Sequence, residues 1–111
     1  GEEHFYFNVS IVTPKEKYLY IAGEEIKPLP NLLKTTIIIG NIKIKAEIHG
    51  TYNRDKRVEF YIDDELKYID YEAPYEWLWE EISFGIRTIT VIAYDIADHS
   101  DTDSIVVYRF F

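Results

Sequence analysis

The sequence predicts an all-β fold, with about seven strands arranged as two packed antiparallel sheets. Apolar residues recur with a period of two along most of the chain. No comparable stretch carries apolar residues at helical spacing, and polar turn signals separate the alternating runs at the intervals of a sandwich. Strict alternation sets one row of side chains on a core and the other toward water, which is the pattern of a half-buried sheet.

In the first run, Phe5, Phe7, Val9 and Ile11 alternate with Tyr6, Asn8 and Ser10. Residues 1–34 are expected to hold N-terminal strands and an irregular lead-in, because Gly23 and Pro28-Leu29-Pro30-Asn31 interrupt the pattern. Proline cannot donate to a ladder, so it fits a connection or an edge strand. Residues 35–111 should supply the core strands. Ile42, Ile44, Ala46 and Ile48 alternate with Lys43, Lys45, Glu47 and His49, and a polar loop is expected from Gly50 to Lys56. Val58, Phe60 and Ile62 form the next run. Asp63-Asp64 then sits where a two-residue hairpin turn would join 57–62 to 65–70, and Asp tolerates the positive φ such turns need. Tyr75, Trp77 and Trp79 fall two apart between Pro74 and Gly85, which favours a strand with both tryptophans facing the core. Ile89, Val91 and Ala93 form the penultimate strand. Asp98 to Asp101 should join a strand ending near Asp95 to one starting near Asp103. One domain is expected to fill residues 1–111.

Composition narrows the function. The net charge is −8, from 20 acidic and 12 basic residues. Phosphate backbones are bound by clustered Lys and Arg, so nucleic acid is not expected as a partner, and anionic membranes are disfavoured on the same ground. With no cysteine, disulfides, thiolate zinc sites and cysteine nucleophiles are all ruled out. The longest aliphatic run, Ile37-Ile38-Ile39, falls far short of the ~20 residues that span a bilayer, so no direct membrane insertion is expected. Gly1-Glu2-Glu3 is acidic where a signal peptide carries positive charge, so an exported protein would contain this chain as an internal or processed piece.

Several constellations could carry chemistry. Asp95, Asp98, Asp101 and Asp103 gather around the last turn, and such oxygen clusters can hold Ca²⁺, although the spacing is not that of an EF-hand. The competing role is a solvated turn that caps its own backbone, with Asp95 accepting from the residues that follow it. Tyr61, Tyr68 and Tyr71 around the hairpin are candidates for surface contact, since Tyr is enriched at recognition surfaces. Asn8-Val9-Ser10 is an N-glycosylation sequon with Asn8 on the outward row. His99-Ser100-Asp101 contains the residue types of a hydrolase triad, but neighbours on one turn point in different directions. His4, His49 and His99 lack zinc spacing. No catalytic residue is assigned, and no cofactor beyond the calcium option.

The second half resembles the bacterial and archaeal immunoglobulin-like domains. The likeness lies in Val58-Glu59-Phe60-Tyr61-Ile62-Asp63-Asp64, then Asp70, Ala73-Pro74-Tyr75 and Trp77-Leu78-Trp79. It continues through Gly85-Ile86-Arg87-Thr88-Ile89-Thr90-Val91-Ile92-Ala93-Tyr94-Asp95. The family pattern reads "VEFYVDG", "D…APYxxxW" and "GxHTxxVxAxDxAGN". Three departures stand out: Asp64 replaces the hairpin glycine, Arg87 replaces histidine, and Ala97-Asp98-His99 replaces "AGN". The resemblance implies an immunoglobulin-like sandwich and a non-enzymatic structural or adhesive module. It points to an archaeal cell-surface or secreted protein, hence an extracellular location. It also implies neighbouring domains of the same chain or other surface proteins as partners. An accessory carbohydrate-binding module of a secreted glycoside hydrolase is the alternative. Strands rich in β-branched and aromatic residues also raise edge-strand pairing into a homo-oligomer.

Overall fold

The computed structural model describes residues 6–33, 35–50 and 55–111. Among these residues there is no helix, and ten strands follow one another. They are β1 (Phe7–Thr13), β2 (Tyr18–Ile21), β3 (Glu24–Pro28), β4 (Thr36–Ile39) and β5 (Ile42–Gly50). The second half supplies β6 (Asp55–Ile62), β7 (Glu65–Asp70), β8 (Tyr75–Trp79), β9 (Gly85–Asp95) and β10 (Ser100–Phe110). A three-stranded sheet ordered β1-β5-β8 packs on a seven-stranded sheet ordered β3-β2-β4-β10-β9-β6-β7. The expected two-layer β architecture is what the chain forms.

Three strands exceed the expected number, and each has a physical reason. β2 is four residues long, too short to display a period. β3 is exposed along its whole length, so no apolar row marks it, and it ends at Pro28 on the sheet edge. β4 is Thr-Ile-Ile-Ile, apolar on both faces, which hides alternation. It runs parallel to β2 and to β10, a pairing that local sequence does not signal. Other boundaries shift too. Strand structure reaches Gly50 and resumes at Asp55, so the expected loop is shorter; residues 51–54 lie outside the described residues, as do Phe5 and His4. β10 begins at Ser100, not near Asp103, because Asp101 and Asp103 already alternate toward the other sheet.

The core lies where the period-two rows converge. Ile42 and Ile44 from β5, Val58 and Phe60 from β6, Ile89, Val91 and Ala93 from β9, and Val107 from β10 are all fully buried. Trp79 closes this layer from β8, while Trp77 is half-buried against Phe60 with ring centroids 6.3 Å apart. Each large apolar side chain so buried contributes about 1.5–3 kcal/mol, so the β5-β8 and β6-β9 faces carry most of the stability. Tyr20 extends the core beneath β2. Its hydroxyl accepts from the Lys15 N–H at 2.8 Å and donates to Glu25 at 3.1 Å. Burial pushes that phenol up to about 12.

The β6-β7 hairpin turns on two residues. Asp63 and Asp64 take φ of 49° and 67°. Asp63 is tied to β9: its N–H donates to the Thr88 carbonyl, and its Oδ1 accepts the Thr88 N–H, both at 2.9 Å. Asp98 in the last turn also holds a positive φ, 63°. Two of the three departures from the family pattern thus sit at left-handed positions, where Asp stands in for Gly because its short polar side chain tolerates that region.

Candidate interaction surface

The four aspartates proposed for calcium are not brought together. Asp95 is buried at the end of β9. Its Oδ1 accepts from the Ala97 N–H at 2.8 Å and the His99 N–H at 2.9 Å, and its Oδ2 lies 2.8 Å from His99 Nδ1. Burial pushes this carboxyl up, but the bonds from the His99 ring and the two backbone N–H groups outweigh burial and hold it below its ordinary value. Asp101 and Asp103 point the other way, onto β1. The Val9 N–H donates to Asp101 Oδ2, and the Ile11 N–H to Asp103 Oδ2, both at 2.8 Å. Asp98 closes the turn through its own N–H, which donates to the Asp95 carbonyl at 3.2 Å. Among the described residues, no three His, Asp or Glu side chains converge as a metal site requires. The backbone-capping role of Asp95 is the one the geometry displays.

The three tyrosines do not form a common platform. Tyr68 pairs with Phe60 across β6-β7 and packs on its ring at 6.4 Å, on the side of the sheet opposite Tyr61, yet it remains exposed on the edge strand. Tyr61, one residue after Phe60, faces outward. It donates to Glu59 at 2.6 Å, and that bond, with burial, pushes the phenol up to about 12. Arg57 also donates to Glu59, at 2.9 Å, while its guanidinium lies 4.0 Å from the Tyr94 ring centroid. Tyr71 is strongly exposed just beyond β7. Asn8 is exposed on β1, opposite His49 of β5.

Two features escaped the sequence reading. Arg109 is completely buried, its guanidinium 4.4 Å from the Trp79 ring centroid. Its Nε donates to the Phe111 carbonyl at 2.9 Å and its Nη2 to the Glu81 carbonyl at 3.1 Å, while Nη1 finds no hydrogen-bond partner among the described residues. Burial pushes its pKa down, and the Glu81 charge acts in the opposite sense.

The second feature is the outward face of the large sheet where β2, β4, β10 and β9 meet. Register aligns Leu19, Ile37, Tyr108 and Ile86 in one lateral row, with Ile21, Ile39 and Phe110 in the next. Val106 stands beside them on β10. Leu32 and Leu33, both exposed, line an open groove of about 460 Å³ together with Ile37, Tyr108 and Phe110. Its sequence signal was the loss of alternation in Ile37-Ile38-Ile39 and in Ile105 to Phe111, where Arg109 alone interrupts the apolar run. A covered face tolerates that pattern; a solvated one is expected to alternate.

Fold and surface together define a two-sheet immunoglobulin-like or fibronectin III-like module. The chain belongs to the bacterial Ig domain family, whose model matches residues 33–91. Among solved structures it is similar to the CbhA fibronectin(III)-like modules of Clostridium thermocellum, with 26% identity and a TM-score of 0.69 over 98% of this chain and 49% of that one. It is also similar to the endo-beta-1,4-mannanase from Thermotoga petrophila, with 12% identity and a TM-score of 0.63 over 97% of this chain and 20% of that one. An engineered protein aligns with 13% identity and a TM-score of 0.58, over 93% of this chain and 20% of that one. The last two likenesses are of fold alone. The chain spans about half the length of the CbhA structure and a fifth of the other two. No curated protein matches it.

Proposed function

We propose that the chain is a non-catalytic structural or adhesive module of a larger extracellular protein, where it spaces, displays or joins neighbouring domains. The observation that carries this reading is its likeness, over 98% of its length, to modules that occupy about half of a longer chain. The internal chemistry agrees with it. Asp95, Asp101, Asp103, Glu59 and Arg109 all spend hydrogen bonds on the fold's own backbone or side chains. An outward Asn8 in a sequon suits an exported location.

A second reading, accessory binding of carbohydrate, is favoured by one arrangement. Tyr94 lies beside Arg57 in register, and Tyr71 is exposed just beyond the end of β7. Affinity electrophoresis in gels containing soluble polysaccharides, together with a reducing-end assay, tests both. The expected result is unretarded migration and no release of reducing ends. Release would overturn the non-catalytic assignment. Retardation on a β-mannan that disappears in Tyr71→Ala would establish the binding role in its place.

A further inference from the structure

We propose that the end of the sandwich where β10 leaves the body is a joint, docked in the larger protein by the domain that continues the polypeptide past Phe111. The inference rests on the module reading above and names the surface through which that module meets a neighbour. Ile82 and Phe84, in the β8-β9 connection, are 81% and 56% exposed, and Phe111 is 64% exposed. Phe84 and Phe111 meet edge to ring, with centroids 5.6 Å apart. On its other side Phe111 borders an open hollow of about 440 Å³, lined in part by Ala22, Ile39 and Gly40.

What marks this end as a joint is the way the departing chain is held. The Gly40 N–H donates to the Phe110 carbonyl at 2.8 Å, one step beyond the β4-β10 ladder. Arg109, fully buried, donates from Nε to the Phe111 carbonyl and from Nη2 to the Glu81 carbonyl. One guanidinium therefore ties the exit of the chain to the connection that carries Ile82 and Phe84. Burying a guanidinium is costly, and a free tether needs no such hold, since chain ends fray unless they are tied down. The polypeptide thus leaves from a fixed point in a fixed direction, amid exposed apolar side chains.

Covalent connection selects the occupant. A domain joined at Phe111 by a short linker is present at an effective concentration on the order of millimolar. A small apolar patch then suffices to hold it, where a free partner would need a full-sized interface. The surroundings suit that role. Lys67 pairs with Glu81 at 3.2 Å and Arg87 with Asp63 at 3.5 Å, and these four residues share a recess of about 280 Å³ with Ile82. An apolar centre with a polar rim is the anatomy of an interface. A second copy of this chain, untethered, lacks the advantage that connection confers.

Nuclear magnetic relaxation tests the proposal on the longer polypeptide that holds this module and the domain after it, with this chain alone as reference. In the wild type both domains are expected to tumble with one correlation time. Ile82→Lys and Phe84→Lys should each abolish it and leave two bodies that tumble separately. Ile96→Lys, also at an exposed position but in the β9-β10 turn, should leave it unchanged. Separate tumbling in the wild type overturns the joint and leaves the module reading standing, as does a polypeptide whose other domains all precede β1. A polypeptide with no other domain on either side overturns both. Tumbling of this chain alone that slows with concentration, and recovers in the Ile82 and Phe84 variants, assigns the patch to a second copy and overturns the joint equally. Should a variant fail to fold, amide shifts between this chain and the longer wild type must reach Ala22, Ile82 and Phe84; shifts confined to the residues next to Phe111 refute the joint.

Discussion

Arg109 has no accessible surface, yet it carries a guanidinium with one nitrogen unpaired among the described residues. What retains it is shape and two carbonyls: the planar group lies along Trp79 and bonds to the backbone at Glu81 and Phe111. Truncation should be costly because it leaves a cavity beside the largest core side chain and frees both carbonyls. Arg109→Ala is expected to lose about 3 kcal/mol of stability. Arg109→Met fills the same volume without a buried charge and should stay within about 1.5 kcal/mol of the wild type, since an apolar replacement for a buried ion is often neutral. Guanidinium denaturation of the two variants measures the difference. In the sequence, Arg109 is one cation within an aromatic-rich run and gives no sign of burial beyond its inward place in the β10 alternation. Asp95 was legible for the opposite reason. An aspartate at a strand end, followed by a turn, has backbone N–H groups within reach by covalent geometry alone.

At the scale of elements, period-two runs revealed β1, β5, β6, β8 and β9 because each has one wet and one dry face. The β6-β7 hairpin was legible from two aspartates that can adopt left-handed φ. β2, β3 and β4 were not, since four-residue or fully exposed strands carry no periodic signal and parallel pairing is a long-range choice. The grouping of aspartates misled for a related reason. Alternation along β10 sends Asp101 and Asp103 to the β1 side, away from the turn that holds Asp95 and Asp98. Those two carboxylates serve β1, an edge strand whose ladder partner among the described residues is β5. Removing either one strands an N–H at the sheet junction. Asp101→Ala and Asp103→Ala should each cost about 1–3 kcal/mol, the range for losing a charge-assisted bond. Amide hydrogen exchange should locate the damage, with Val9 or Ile11 exchanging faster while β9 stays protected. Unchanged exchange at both sites would refute the assignment.

For the whole molecule, stability should fall at both ends of the pH range. Asp95 has its folded pKa depressed, so its contribution is present above the unfolded value of about 3.9 and fades as pH drops through the lower folded value. Tyr20 and Tyr61 are raised to about 12. For a phenol the sign reverses: the unfolded chain ionises first, so stability is complete below about pH 10 and declines as pH rises toward 12. Denaturation midpoints measured against pH should therefore show a plateau with two shoulders. Asp95→Asn should flatten the acid shoulder, and Tyr61→Phe should weaken the alkaline one. The two-layer architecture was legible in the sequence; the uncovered outer face was visible only as a lapse in alternation, because a continuous apolar run reads the same whether a neighbour buries it or water meets it.

The carboxylate stitching between β1 and β10 has a mechanical consequence. Val9 meets Asp101 and Ile11 meets Asp103, so the two strands run in the same direction, and Phe7 and Phe110 lie toward opposite ends of a body 48 Å long. Tension drawn through the molecule from one tip to the other would strain these links and the β4-β10 ladder in shear, sharing the load at once instead of unzipping bond after bond. A link in a stretched tether gains from that geometry, whatever it is tethered to.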